Sequence, residues 1–199
     1  RGIAMAFEAG AALMDLEFVE FEPMVSYEPP GARGEPCPTA MLGEGAVLLN
    51  EQGERFLLKD RPQGEAGAPK TLINQGIMRE VAQGRGTPLG GVYVDLRMIP
   101  QNTLEAYPWF YERLLKAGKD IKKELLQVGP MAHSHSGGIE IDLRGMSSVQ
   151  GLFAAGEAAA GMHGACRMAG NAATQSAASG ILAAEGMLAL GHPSPQAIQ

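Results

Sequence analysis

Three short runs hold most of the side chains able to do chemistry. Residues 132–142 (AHSHSGGIEID) place His133 and His135 before paired glycines, and residues 157–171 (EAAAGMHGACRMAGN) scatter Glu157, His163, Cys166, Arg167 and Asn171 among glycines. The third run, APKTLINQGIMRE, carries Lys70 at the start of a helical pattern. Arg167 is the most specific of these residues. A guanidinium in a glycine-rich loop offers a planar fork for a carboxylate or phosphate, which Lys cannot reproduce. Its bland alternative is a salt bridge to a nearby carboxylate. His133 is read either as a ligand-binding imidazole or as a satisfied structural hydrogen-bonder. Glu157 follows a short apolar run through Ala154-Ala155-Gly156, where a carboxylate can accept hydrogen bonds from the sugar hydroxyls of a dinucleotide. Equally, it can be a helix N-terminal carboxylate favoured by the macrodipole. Gly161, Gly164 and Gly170 remove side chains where another body would approach the backbone. A competing reading gathers His133, His135, His163 and Cys166 as a zinc ligand set, although their spacing is common by chance.

These residues need elements to hold them. Ile3, Phe7, Ala11 and Met14 recur at helical spacing and predict a helix over residues 2–16, and LEFVEF (16–21) alternates as a half-buried strand does. Residues 22–42 are rich in Pro and Gly and read as an ordered surface or active-site loop. Residues 46–50 and 54–58 read as a hairpin around Glu51-Gln52-Gly53. Helices are predicted over 70–83, 102–116 and 171–190, and strands over 91–96, 125–128, 138–142 and 152–155. The elements alternate without a strict strand–helix–strand rhythm, which predicts an α+β fold.

Composition narrows the function classes. The 199 residues carry a net charge of −6 with scattered Lys and Arg, which argues against a nucleic-acid binder. Apolar stretches break well before the ~18 residues a membrane span needs. Cys37 and Cys166 have no CxxC partner, so free thiols in a reducing compartment, the cytoplasm, are expected.

The order AAGE, HGACR, AGN over residues 154–171 resembles the second flavin-contacting segment of the succinate dehydrogenase, fumarate reductase and L-aspartate oxidase flavoproteins. The resemblance recurs at 2–17 (GIAMAFEAGAALMDLE), 43–56 (GEGAVLLNEQGERF), 77–86 and 132–142, and so covers nearly the whole chain in the family's order. It implies a capping domain over residues 17–131 that closes over FAD. Flanking it would be a helix (1–16) and a strand–helix segment (132–199) belonging to the FAD-binding domain. No strand with GxGxxG precedes the first helix. The family keeps that fingerprint in an N-terminal half, so the chain is expected to be a fragment needing that half to complete its flavin site.

Through the resemblance, His133 and Arg167 become substrate-binding and catalytic residues, and Glu157, Gly161, His163, Asn171 and Ala172 become FAD contacts. Ala172 stands where the family usually has Ser. The family's proton-donating Arg is replaced by Lys70, read either as a general acid or as the exposed first-turn residue of a helix. The His of the usual FHPT is Glu22, and the TE-x-x-RGEG run reads Pro38–Gly45, PTAMLGEG. A dicarboxylate such as fumarate would lose one clamp and meet Glu22 as a like charge, so a different small organic acid is expected. The implied activity is hydride transfer between flavin and that acid. An electron-transfer subunit is a further expected partner, with peripheral attachment to a membrane through it. The alternative is a non-redox ligand- or metal-binding module on the same fold.

Overall fold

Thirteen residues from Lys70 to Ala82 form a helix because Ile73, Gly76 and Ile77 share one face, and burying that face against a sheet sets the core of the larger part of the molecule. The structure, a computed structural model, describes residues 1–168 and 170–191. Ala169 of the AGN motif and residues 192–199, the end of the predicted 132–199 segment, lie outside the described residues. In chain order the elements are α1 (Gly2–Glu8), β1 (Leu13–Met14), β2 (Val19–Ser26), β3 (Val47–Leu49), α2 (Lys70–Ala82) and β4 (Val92–Asp95). They continue with α3 (Gln101–Glu105), α4 (Pro108–Lys116), β5 (Leu126–His135), β6 (Gly138–Ile139) and α5 (Asn171–Leu190). Short 3₁₀ helices lie at Pro30–Ala32, Thr39–Glu44, Phe56–Lys59 and Gly156–Ala158. Mixed helices and antiparallel sheet make this an α+β chain.

Two units divide it: Phe21–Ala132, and Arg1–Glu20 together with His133–Gln199. Both changes of unit fall inside strands, in β2 and β5. The first unit is built on a sheet of order β2-β5-β4-β3, with Leu48 opposite Val94 and Tyr93 opposite Gln127. Val92 and Val94 of β4 point into a core shared with Leu48, Ile73, Ile77, Phe110 and Leu114, each fully or almost fully buried. Burying an aliphatic or aromatic side chain of this size contributes about 1.5–3 kcal/mol, so this cluster is the main source of the unit's stability. Gly76 is small because a Cβ there would lie 2.7 Å from Leu57, where α2 packs on the 3₁₀ turn. The second unit has a smaller core of Ala6, Ala11, Ile139, Ala154 and Ala159, and the β1–β6 pair joins Leu13 to Ile139.

Five expectations from the sequence are corrected. The first helix stops at Glu8, where Gly10 closes a turn onto Phe7, so Phe7 is exposed and Met14 sits in a strand. The helix expected over 102–116 is two, because Pro108 has no amide to continue α3 and instead starts α4. The hairpin over 46–58 has only its first arm: the Asn50 side-chain oxygen accepts from the amides of Gln52 and Glu54, and the chain leaves that turn as a 3₁₀ helix. β3 pairs with β4 instead. Residues 152–155 form only a bridge, Phe153 to Met146, and residues 22–26, expected in a loop, continue β2.

The Glu80 side chain, near the end of α2, is fully buried. The Glu80 carboxylate receives Arg85 Nε at 2.6 Å and Nη2 at 2.8 Å, and Asn50 Nδ2 at 3.0 Å. The Arg85 hydrogen bonds hold its carboxyl below the usual carboxylate range. A lowered folded value means that the pair's contribution is present at neutral pH and is withdrawn as pH falls through that value. Glu80→Gln is therefore expected to lower stability by about 1–3 kcal/mol at pH 7, read as the urea midpoint. The loss should shrink as the pH is lowered through the carboxylate range. A variant whose deficit does not change with pH would refute the assignment.

Candidate functional site

The long helix α5 begins without a side-chain cap. Its N-cap is Gly170 with φ +80°, a left-handed conformation that brings the glycine loop into the helix without strain. Asn171, Ala172 and Ala173 in its first turn are exposed; the Asn171 amide donates to the Met168 carbonyl at 3.1 Å, and the positive dipole end of a 20-residue helix opens outward past small side chains. One turn further in, α5 grips the turn that carries Glu157. Gln175 Nε2 donates to the Gly156 carbonyl at 3.1 Å, and the Gly156 amide donates to Ser179 Oγ at 2.9 Å. Both α5 side chains are buried, so the two ends of the Gly156 residue are fixed from one helix. Glu157 itself is exposed and accepts the His135 amide at 2.9 Å, which links the 132–142 run to the 157–171 run.

Arg167 lies in the loop ahead of that helix with a side chain only 8% exposed. Its Nη2 donates to Glu20 Oε1 at 3.1 Å, and the Glu20 side chain is 4% exposed. Nη1 reaches the Met168 carbonyl at 3.5 Å, at the edge of hydrogen-bonding distance. Nε is buried and makes no hydrogen bond among the described residues. A buried donor left unmet costs about 1–3 kcal/mol, which sets this nitrogen apart from the engaged Nη2. The salt-bridge reading of Arg167 is thus correct for one of its nitrogens.

Glu20 is a site residue that the sequence does not single out. The alternation of LEFVEF suggests apolar side chains inward, but β2 turns Glu20 and Glu22 inward and leaves Val19 and Phe21 exposed. The charge of Arg167 is the available signal, since a buried cation needs a counter-charge. Glu22, in the Phe21–Ala132 unit, receives Lys70 Nζ at 2.6 Å, with both side chains largely buried. The neighbouring Asn74 donates to the Phe21 carbonyl at 2.9 Å, so two residues pin the first turns of α2 to β2. Lys70 is therefore an ion-paired, largely buried residue, not an exposed first-turn one.

The other predicted residues are placed less tightly. His133 is exposed in β5, and His163 is half-buried in the glycine loop. Gly161 lines a cavity of about 390 Å³ whose walls include Met14, Met162 and Leu182 beside Glu140 and Asp142. Paired glycines at 137 and 138 suggest a loop pressed against a ligand, but it is the chain itself that approaches them. A Cβ at Gly137 would lie 1.9 Å from the Asp15 carbonyl oxygen, and one at Gly138 would lie 2.4 Å from that of Ala158. Among the described residues, His133, His135, His163 and Cys166 do not converge as ligands for one ion. Burial pushes the Cys37 thiol well up, which leaves it unreactive.

The outward-facing first turn of α5, bordered by alanines, suits a planar ring that gathers negative charge, and the exposed Glu157 carboxylate suits sugar hydroxyls. Both features fit a flavin dinucleotide. Because Gln175 and Ser179 fix the Glu157 turn, Gln175→Ala or Ser179→Ala is expected to cost about 1–3 kcal/mol in thermal or urea unfolding. Unchanged midpoints in both variants would show that the turn is held by something else.

Residues 1–173 match the family model described as FAD binding domain. The CoM/CoB fumarate reductase of Methanothermobacter marburgensis contains a polypeptide 41% identical over 172 residues, covering 86% of this chain and 31% of that one. An L-aspartate oxidase of Agrobacterium fabrum is 38% identical over 199 residues, 99% of this chain and 36% of that protein. Among solved structures, E. coli quinol fumarate reductase superposes with a TM-score of 0.82 at 30% identity, over 99% of this chain and 37% of that one. The chain thus spans about a third of the length of the relatives it matches. Among the described residues no helix is long and apolar enough to cross a membrane.

Proposed function

Since the chain belongs to the FAD-binding domain family and is related to fumarate reductases and L-aspartate oxidases, we propose that it is part of an FAD-dependent oxidoreductase that moves a hydride between flavin and a small organic acid. The observation that carries this reading is Arg167, a buried guanidinium with an unmet Nε donor in the loop that leads into α5. FAD, when bound, supplies the hydride chemistry. Glu157 would hold a ribose hydroxyl, and Gly161, His163, Asn171 and Ala172 would border the cofactor. Arg167 and His133 would hold the acid group of the substrate, with Arg167 providing the oriented fork and His133 a further donor.

The Phe21–Ala132 unit is assigned as the capping domain, and the other unit as the family's second FAD-binding segment with its first helix. Lys70 is the proton-bearing group of the cap. Its ion pair with Glu22 fixes the ammonium at the start of α2 and balances its charge, so a proton passed to substrate would leave Glu22 to draw another from solvent. With Glu22 engaged in this way and no His at its position, fumarate itself is a poor fit, and a different small acid is assigned as substrate. An N-terminal dinucleotide-binding half would complete the flavin site, and an electron-transfer subunit would serve as redox partner, so that a cytoplasmic protein could sit at a membrane through it.

The full-length protein is expected to purify with a flavin absorption spectrum that candidate acids bleach or restore. A preparation with no flavin would overturn the proposal. Arg167→Lys should keep the flavin and weaken substrate binding by about ten- to a hundredfold, the cost of losing a charge-assisted bidentate contact of about 1.5–3 kcal/mol. Unchanged KM and kcat would remove Arg167 from the site.

A further inference from the structure

Resting on the proposed role of Glu157 as the carboxylate that holds a sugar hydroxyl of FAD, we infer that His135 is a positioning residue for that carboxylate. The His135 backbone amide donates to Glu157 Oε1 at 2.9 Å, and the His135 ring Nδ1 lies 2.9 Å from the Gly137 carbonyl oxygen. A carbonyl only accepts, so Nδ1 carries the proton and the imidazole ties residue 135 to residue 137. The same segment is held at further points. The Ser136 amide donates to the Phe18 carbonyl at 2.9 Å, and Gly137 lies so near Asp15 that a Cβ would be 1.9 Å from its carbonyl oxygen. The His135 amide is thus a donor held in one direction.

Glu157 is exposed, and an exposed glutamate samples several rotamers unless something holds it. Helix α5 fixes the neighbouring Gly156, which sets only the root of the Glu157 side chain. The His135 amide fixes the tip: it engages Oε1 and leaves Oε2 to a ligand hydroxyl. A carboxylate ordered before the ligand arrives need not be immobilised on binding, so less side-chain entropy is lost. The imidazole acts through the peptide that it holds. This gives a role to the second histidine of the 132–142 run, which joins no metal-ligand cluster among the described residues.

The test is a double-mutant cycle on the full-length protein, stripped of flavin and titrated with FAD by fluorescence, with each variant's unfolding midpoint measured beside it. Glu157→Ala should weaken FAD binding by about tenfold or more. His135→Ala should weaken it by about three- to tenfold, the effect of leaving one long side chain to be ordered on binding. In the Glu157→Ala background the His135→Ala change should cost nothing further, because the group it positions has gone. His135→Asn, whose amide nitrogen takes the place of Nδ1, should restore the native affinity. If His135→Ala loses its cooperative unfolding transition, His135→Gln takes its place in the cycle, since it keeps the length of the side chain without a donor at the Nδ1 position. A histidine that serves only the stability of the unit would give equal losses in both backgrounds and no rescue by Asn, and that pattern would overturn the inference. Weakened binding in Glu157→Ala with native binding in the His135 variants would overturn the inference alone. Native binding in Glu157→Ala, or no uptake of FAD by the unsubstituted protein, would overturn the reading on which it rests as well.

Discussion

The buried carboxylates of β2 constrain the rest of the molecule. A strand places residues two apart on one face, so Glu20 and Glu22 turn inward together, and neither can be left without a cation at that depth. Glu20 receives Arg167 from the glycine loop, and Glu22 receives Lys70 from the first turn of α2. The cost of burying charge thereby becomes a device for positioning. The glycine-rich loop before α5 acquires a fixed arginine, and α2 acquires a fixed starting point, because leaving either carboxylate unpaired would be strongly destabilising. Val19 and Phe21 are exposed as the corollary. A strand that turns acids inward must turn its apolar residues outward.

That inversion marks the limit of what is legible in the sequence. Strict alternation is confined to VEFE (19–22), where β2 begins, and residues 16–18 of the expected strand precede it; that alternation does not say which face is the inner one, and the general preference for apolar interiors points the wrong way here. Where a local rule and the global fold agree, sequence and structure coincide. Helix α2 follows its Ile73–Gly76–Ile77 face, β4 its valines, and α5 its run of small residues up to Leu190. Where a single side chain decides, they part. Asn50 ties down the turn amides and sends the chain into a 3₁₀ helix, and nothing in the alternation of the flanking residues signals it. The break at Pro108 is different in kind, since a proline in mid-helix is visible in the sequence and its missing amide is sufficient cause.

For the site, residue type is more legible than partnership. An arginine among glycines announces an anion fork, and the structure adds that one nitrogen of the fork is already engaged by Glu20. Paired glycines announce a close approach, but they do not say whose. At Gly137 and Gly138 the approaching groups are the chain's own carbonyls at Asp15 and Ala158, which lock the 132–142 run against other segments of the same unit. The histidine–cysteine set shows the converse, since suitable ligands in suitable numbers do not converge among the described residues. Spacing along a chain constrains geometry only when a single element carries it.

The arrangement around Gly156 explains how a loop-built site keeps its shape. Loops are the natural place for binding groups, but they position them poorly unless a rigid element holds them. Here α5 supplies that element twice over. Its exposed first turn presents the positive end of the helix dipole, and Gln175 and Ser179, one and two turns further along, reach back to the carbonyl and amide of Gly156. The carboxylate of Glu157 and the N-terminus of α5 are consequently referred to one rigid body. Glu157 in turn accepts the His135 amide, which extends the same frame to the strand that carries His133. Groups far apart in the sequence are thus held together through hydrogen bonds to or from a single 3₁₀ turn. Farther along α5 the reason for a small residue is different: a Cβ at Gly186 would lie 2.5 Å from the Arg144 carbonyl oxygen, so the helix there is seated on the chain around residue 144 and not on the turn.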